Sequence, residues 1–233
     1  MKNLLSIILV AITTVGVAQD STKFSFGLDV FPHSSHAKYT YDDDSFLYDE
    51  GSEIEKLSLG VSAFVEYSLN SKLAVNLGVG YLNNGQRSTK IAYTYGGQID
   101  LQTGFMTGGE EREIQFYYVN EHIEIPLHLK YQFWRRYYTQ VGGSGVINMK
   151  NTTITKTWID GDVEASDRVL DNSPFTKVNV YLNASVGAYF REASRVQTFL
   201  QLYGQYALMP VYESAKINRQ IIAAGFSIGV KFN

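Results

Sequence analysis

Eight stretches of this chain alternate apolar and polar residues with a period of two, and no apolar set among them contains a charge. Strict alternation is the mark of a β-strand with two unlike faces. The runs are residues 23–31, 56–69, 73–81, 123–133, 137–148, 178–190, 200–208 and 222–232. The fourth sets Ile123, Ile125, Leu127, Leu129, Tyr131 and Phe133 against His122, Glu124, Pro126, His128, Lys130 and Gln132. The last sets Ile222, Ala224, Phe226, Ile228, Val230 and Phe232 against Ala223, Gly225, Ser227, Gly229 and Lys231. Helical periodicity is scarce, and no second apolar stretch beyond the N-terminal one is long enough to cross a bilayer as a helix.

Alternation alone does not separate a soluble ligand-binding barrel from a membrane barrel, because both have one apolar face per strand. The polar face separates them. In a soluble barrel it meets water and carries Lys, Glu and Thr. Here it is mostly Gly, Ser, Asn, Gln and Tyr, residues that fit the narrow interior of eight strands. The charge-free apolar face then meets lipid, where a Lys or Arg at mid-membrane costs about 2–4 kcal/mol. Tyr67, Tyr81, Phe133, Trp134, Tyr137, Phe190 and Tyr206 fall near strand ends, as interfacial girdles do. Connections alternate in length: short at 70–72, 134–136 and 191–195, long at 33–55, 84–113 and 149–175. Short turns on one side and long loops on the other predict an all-β, eight-stranded, antiparallel, up-and-down transmembrane β-barrel in the bacterial outer membrane.

The N-terminus reads as an export signal. Lys2 supplies a positive start, Leu4 to Val17 is mostly apolar, and Gly16-Val17-Ala18 places small residues before polar sequence begins at Gln19. The expected organisation is a signal peptide at 1–18 and a barrel domain at 19–233. The chain has no cysteine, which excludes disulfides, thiolate metal sites and thiol catalysis. A net charge of −3 excludes a strongly basic nucleic-acid binder.

Charge is segregated. The first long loop carries Asp42, Asp43, Asp44, Asp49, Glu50, Glu53 and Glu55 against Lys38, whereas Lys72, Arg135, Arg136, Arg191 and Arg195 lie at the short turns. An acidic loop is soluble in water for that reason alone. Its functional counterpart is a divalent-cation contact at Asp42, Asp43 and Asp44, although the EF-hand spacing and its glycine are missing. Asp160-Gly161 reads as a two-residue hairpin turn. Glu66, Glu124, His128 and Lys130 face the interior, with Asp29 and His122. They are expected to form a structural polar network in which a glutamate pairs with Lys130, because an unpaired charge there is costly. A hydrolase would place its groups at the lipid-facing rim, and no G-x-S-x-G motif occurs. No catalytic residue, cofactor or structural metal is therefore expected. His33 and His36, three residues apart without further ligands, read as loop residues.

Leu77-Gly78-Val79-Gly80-Tyr81-Leu82-Asn83-Asn84-Gly85 resembles the third-strand pattern of the Bacteroidetes-type, PorT-like outer-membrane β-barrel proteins. Ile123-Glu124-Ile125-Pro126-Leu127-His128-Leu129-Lys130-Tyr131 is similar to a further strand of that family, and Gly229-Val230-Lys231-Phe232 to its closing strand. The chain departs from the pattern at His128, in its long acidic first loop and in ending on Asn233. The resemblance implies fold and compartment. It also implies that Glu124 and Pro126 serve packing and strand geometry, with Pro126 bending its strand or sitting at a bulge.

These readings predict a non-enzymatic outer-membrane barrel that presents long acidic loops for binding or structural roles. The alternative is a component of a protein secretion or envelope-assembly machine, reached through the short turns. A lipid-modifying enzyme ranks third. Expected partners are outer-membrane lipid and lipopolysaccharide, the barrel-assembly machinery during insertion, and a secretion or envelope protein, with no nucleic acid.

Overall fold

The structure is a computed structural model that describes residues 23–41, 53–96, 98–99, 106–107, 109–159, 162–169, 175–190, 195–213 and 217–233. The expected signal peptide and Asp42, Asp43 and Asp44 lie outside the described residues. The strands are β1 (Phe24–Tyr41), β2 (Glu53–Ser68), β3 (Leu73–Ser88), β4 (Ile91–Tyr95), β5 (Gln98–Ile99), β6 (Met106–Thr107), β7 (Glu110–Gln132), β8 (Tyr137–Ile159), β9 (Asp162–Val169), β10 (Val178–Tyr189), β11 (Val196–Ala207), β12 (Tyr212–Glu213) and β13 (Ile217–Phe232).

Eight of these close a ring in the order β1, β2, β3, β7, β8, β10, β11, β13 and back to β1. Every neighbouring pair is antiparallel. The closing seam runs from Phe26↔Phe232 to Tyr41↔Ile217. Closure leaves no edge in the wall, which is what lets a sheet cross hydrocarbon. The period-two pattern becomes an inside and an outside. On β7, Ile125, Leu127 and Leu129 are exposed on the outer surface, while Glu124 and Lys130 are each only 4% exposed. Phe24, Phe133, Trp134, Tyr137, Phe190 and Phe232 stay exposed around the short-turn end, and Tyr81 and Tyr206 further up.

Much of what reads as long loop is strand. β7 and β8 are each 23 residues long, whereas a membrane crossing needs about 9–11. Beyond the ends of their ring partners they are widened by β4 pairing with β7 and by β9 pairing with β8. The result is a four-stranded extension, β4–β7–β8–β9, at the far end of the barrel. Lys90 lies 4.1 Å over the Trp158 ring and pairs with Glu113 at 2.6 Å, and Arg112 lies 4.3 Å over Tyr95. The Glu110 carboxylate beside Arg112 holds its guanidinium further above its ordinary range. Ile159↔Asp162 is the last pair of the β8–β9 hairpin, which leaves Asp160 and Gly161 as its two connecting residues, themselves outside the described set. Alternation fades here because water bathes both faces, so neither has to be apolar.

Two expectations are corrected. His33 and His36 are not loop residues. Both lie in β1, His33 turned inward and buried with Nδ1 donating to the Phe31 carbonyl at 3.1 Å, His36 outward and exposed. Pro126 sits at no bulge. The β3–β7 register is the same on both sides of it, from Leu77↔Leu127 to Gly80↔Glu124. Its missing N–H leaves a gap in that ladder, and a Cβ on the facing Gly78 would come within 3.1 Å of the ring. The irregularities lie higher. Met149 is the extra residue of β8 between Glu121↔Lys150 and His122↔Asn148. β2 gains one residue between Glu55↔Gln86 and Gly60↔Leu82. Beside that second bulge, Ser35 reaches from β1 to β3. Its Oγ donates to the Gly85 carbonyl at 2.7 Å and accepts from the Gly85 N–H at 3.0 Å. Gly85 has φ +146°, and a Cβ there would collide with the Tyr118 carbonyl oxygen.

Gly85→Ala combines an unfavourable backbone angle with a backbone clash and is expected to cost at least ~1–3 kcal/mol, read as a lower urea midpoint in micelle-refolded protein. Leu127→Arg on the outer face is expected to cost about 2–4 kcal/mol, measured by reversible folding into lipid vesicles.

Candidate functional site in the barrel lumen

The inward residues stack in layers, and the layers follow from strand register. Near the short turns Glu66 of β2, Lys130 of β7 and Lys231 of β13 converge. Lys130 Nζ is 2.5 Å and Lys231 Nζ 3.2 Å from the two Glu66 carboxylate oxygens. Lys130 also donates to the Tyr189 hydroxyl. It lies 4.6 Å from the Tyr138 and Tyr189 ring centres, and Lys231 4.9 Å from Tyr189. Burying three charges is costly. Here one carboxylate serves two ammonium groups, and ring faces take up part of the remaining positive charge. Tyr138, Tyr189, Phe199 and Phe64 pack together at this level.

One level up, Asp29 of β1 accepts from Ser62 and from Ser227, the latter at 2.8 Å. Glu124 of β7 accepts from Ser144 at 2.5 Å and from Gln205 at 2.9 Å. Asn183 donates to Ser144 at 2.5 Å and to His128 Nε2 at 3.1 Å, which makes that ring nitrogen the acceptor. Asp29, Glu124 and His128 line one cavity. Above it Phe31, Leu82, Val146, Tyr181, Ala207, Val211 and Ile221 form a second packed layer. At that height His122 donates to Asn84 at 3.1 Å, and Asn84 to Tyr181 at 3.2 Å. Arg219 donates to Asn120 at 3.3 Å and faces the rings of Tyr118, Phe175 and Tyr212 at 5.7–5.9 Å.

The structure thus brings Glu66 and Lys130 into an ion pair and places Glu124 and His128 in a separate, higher cluster joined through Asn183 and Ser144. Lys231 and Arg219 are absent from the sequence-based network. Lys231 was findable, since it shares the inward parity of Ser227 and Gly229. Arg219 lies before the start of the alternating run at 222 and carried no such signal. His122 and His128, the candidates for acid–base chemistry, both point into the lumen. Among the described residues no three His, Asp or Glu side chains come together as a metal site.

A closed antiparallel ring with an apolar exterior, a polar interior and short turns at one end defines a bacterial outer-membrane β-barrel. Residues 14–213 match the family described as outer membrane protein beta-barrel domain, and the chain belongs to that family. No curated protein matches the chain. Among solved structures, similarity is found to the attachment invasion locus protein Ail of Yersinia pestis, at 10% identity and TM-score 0.39 over 91% of this chain and 100% of that one. It is also found to OprG of Pseudomonas aeruginosa, at 11% identity and TM-score 0.43 over 91% and 97%. The outer membrane protease OmpT of Escherichia coli has 9% identity and TM-score 0.44 over 91% and 97%. At these values the likenesses carry no information about activity.

Glu66→Gln leaves Lys130 and Lys231 buried without a counter-charge, and is expected to cost about 3–5 kcal/mol. Lys130→Met leaves Glu66 with Lys231 and is expected to cost less. Urea titration of both variants in the same micelles orders them.

Proposed function

We propose that this protein is a non-conducting, non-enzymatic anchor in the outer membrane that presents its far-end strands and loops to a partner or ligand at the cell surface. One observation carries this reading: two packed side-chain layers cross the lumen, while β7 and β8 continue upward into a four-stranded extension. Packed layers within an eight-stranded ring obstruct the passage of solutes, and material invested above the membrane is material available for contact. The inward direction of His122 and His128 argues against lipid-modifying chemistry at the rim. In this reading residues 1–18 are removed on export, the barrel-assembly machinery inserts 19–233, and lipopolysaccharide surrounds the outer face. Asp42, Asp43 and Asp44 would contribute acidic, cation-attracting contacts at the surface.

The second reading is a PorT-like component of a secretion or envelope-assembly machine. It is favoured by a recess of about 550 Å³ at the short-turn end, lined by Lys72, Gln132, Phe133, Trp134, Arg135 and Lys231, with Trp134 70% exposed. Basic and aromatic residues there suit a periplasmic protein partner.

One measurement tests the plugged interior and a second separates the two readings. In planar bilayers the purified barrel is expected to give no stable conductance steps; porin-like steps would refute the plugged reading. Replacing residues 157–164 by a two-residue turn is expected to leave a heat-modifiable, folded barrel and to abolish cross-links to surface partners. Arg135→Glu with Arg136→Glu is expected to leave those cross-links intact. If the arginine pair removes the partner and the hairpin change does not, the assembly reading replaces the anchor.

A further inference from the structure

Above the apolar band, the outer face of β3, β7 and β8 changes character. On β7 Ile125, Leu127 and Leu129 are exposed toward lipid, and the same parity continues upward through Glu121, Tyr117 and Gln115. Residues directly opposite each other in an antiparallel pair share a face. Lys150 is opposite Glu121, Arg87 opposite Tyr117 and Lys156 opposite Gln115, so all three cations lie on the outer side of the wall. Contacts along this face agree. Lys156 Nζ lies 4.6 Å from the Tyr117 ring centre, and the Tyr117 hydroxyl donates to Gln115 at 2.9 Å. Arg87 Nε donates to the Glu55 carbonyl at 3.1 Å, which holds its side chain along the wall. The nearby acids have other partners. Glu113 pairs with Lys90 at 2.6 Å, the Glu55 carboxylate accepts from Ser34 at 2.7 Å, and Glu121 lies beside the Tyr81 hydroxyl. Among the described residues, the ion pairs involve Lys90, Arg112, Lys130 and Lys231, and none of Arg87, Lys150 and Lys156.

We propose that this patch holds the phosphorylated headgroup of lipopolysaccharide in the outer leaflet. The proposal deepens the anchor reading and rests on it, because it takes the far end to be the cell-surface end. Height supports the assignment. A crossing of about 9–11 residues, counted from Gln132 at the short turns, ends at Glu124 to His122. Glu121 and Lys150 therefore stand at the outer headgroup level. Tyr117 is four residues further on, about 14 Å along the strand. Arg87 and Lys156 flank Tyr117, and Lys150 lies below them, which gives two cationic levels for a headgroup with more than one anionic group. A guanidinium engages phosphate oxygens in pairs, and an ammonium adds a point charge. The patch is also continuous with the lipid-facing wall. Val79, Ile125 and Leu127 are exposed directly beneath it, so one lipid can lay its acyl chains on the wall and its headgroup on the cations. A soluble acidic protein would use the charges and not the wall.

The experiment titrates the full barrel, refolded in micelles, with purified lipopolysaccharide, with the same material after phosphatase treatment, and with phosphatidylglycerol. Bound lipid per chain is read by native mass spectrometry. The wild-type barrel is expected to retain lipopolysaccharide and to bind the other two about ten-fold more weakly. The triple variant Arg87→Gln, Lys150→Gln, Lys156→Gln is expected to stay heat-modifiable and to lose affinity for lipopolysaccharide about ten-fold. Arg135→Gln with Arg136→Gln, at the opposite end, should bind as wild type does. Equal binding of the three lipids, unchanged binding by the triple variant, or loss with the turn pair instead would each overturn the proposal. If the triple variant fails to fold, Lys150→Gln and Lys156→Gln are measured singly. Each is expected to weaken binding about three-fold, and no change in either would overturn the proposal. Orientation is tested separately. The chain has no cysteine, so Ala165→Cys on the exposed β9 should react with a membrane-impermeant maleimide on intact cells. No labelling would overturn the anchor reading and this assignment with it. Labelling without lipopolysaccharide binding would overturn the patch alone.

Discussion

A backbone that crosses hydrocarbon has to satisfy its N–H and C=O groups within itself, since lipid offers no partner. This chain does so by pairing β1 with β13, and the other features are conditioned by that seam. Closure fixes which side of each strand faces lipid and therefore which parity must be apolar. It also fixes a narrow interior that side chains from opposite walls can span. Where a proline interrupts a ladder, as Pro126 does, the register holds on both sides, because slipping by one residue would turn an entire apolar set inward. The two bulges lie toward the far end, where that penalty is weaker.

Inside the ring the charges are sorted by height. A three-membered ion cluster with ring faces sits lowest, two carboxylates held by hydroxyls and amides sit above it, and Arg219 sits among aromatic rings near the top. Each layer solves the problem of a charge in a low-dielectric space differently: by counter-ion, by hydrogen bonds, or by π-faces. The two packed layers keep these environments apart. Hydroxyl and amide donors around Asp29 and Glu124 do not neutralise them, which sets the middle layer apart from the one below.

The wall was legible in the sequence because lipid enforces a rule on one parity of every crossing strand. Ile125, Leu127 and Leu129 declare the outer face by composition alone. The same rule lapses where water reaches both faces. That is why the strands built from 149–159 and 162–169 read as loop, whereas His33 is buried in the lumen and was hidden because its outward neighbours Ser34 and His36 are polar, leaving no apolar parity to see. The lumen was legible only in parity. That Glu66, Glu124, His128 and Lys130 face inward follows from alternation, but which of them meet depends on stagger between strands that are far apart in sequence. Lys130 meets Glu66, and Glu124 meets Ser144 and Gln205, for reasons of height that no single strand records.

The seam between β1 and β13 joins opposite ends of the chain, and Ser25 even donates to Asn233 across it at 3.1 Å. Contacts so distant in sequence make for slow, late-committing folding, since the loop-closure entropy is incurred before the contacts form. Until β13 is in place β1 has only one neighbour, and a partial sheet would carry two unsatisfied edges. The molecule therefore has no stable half-built form in a bilayer. Pairing of β1 with β13 is the one step that removes both edges at once.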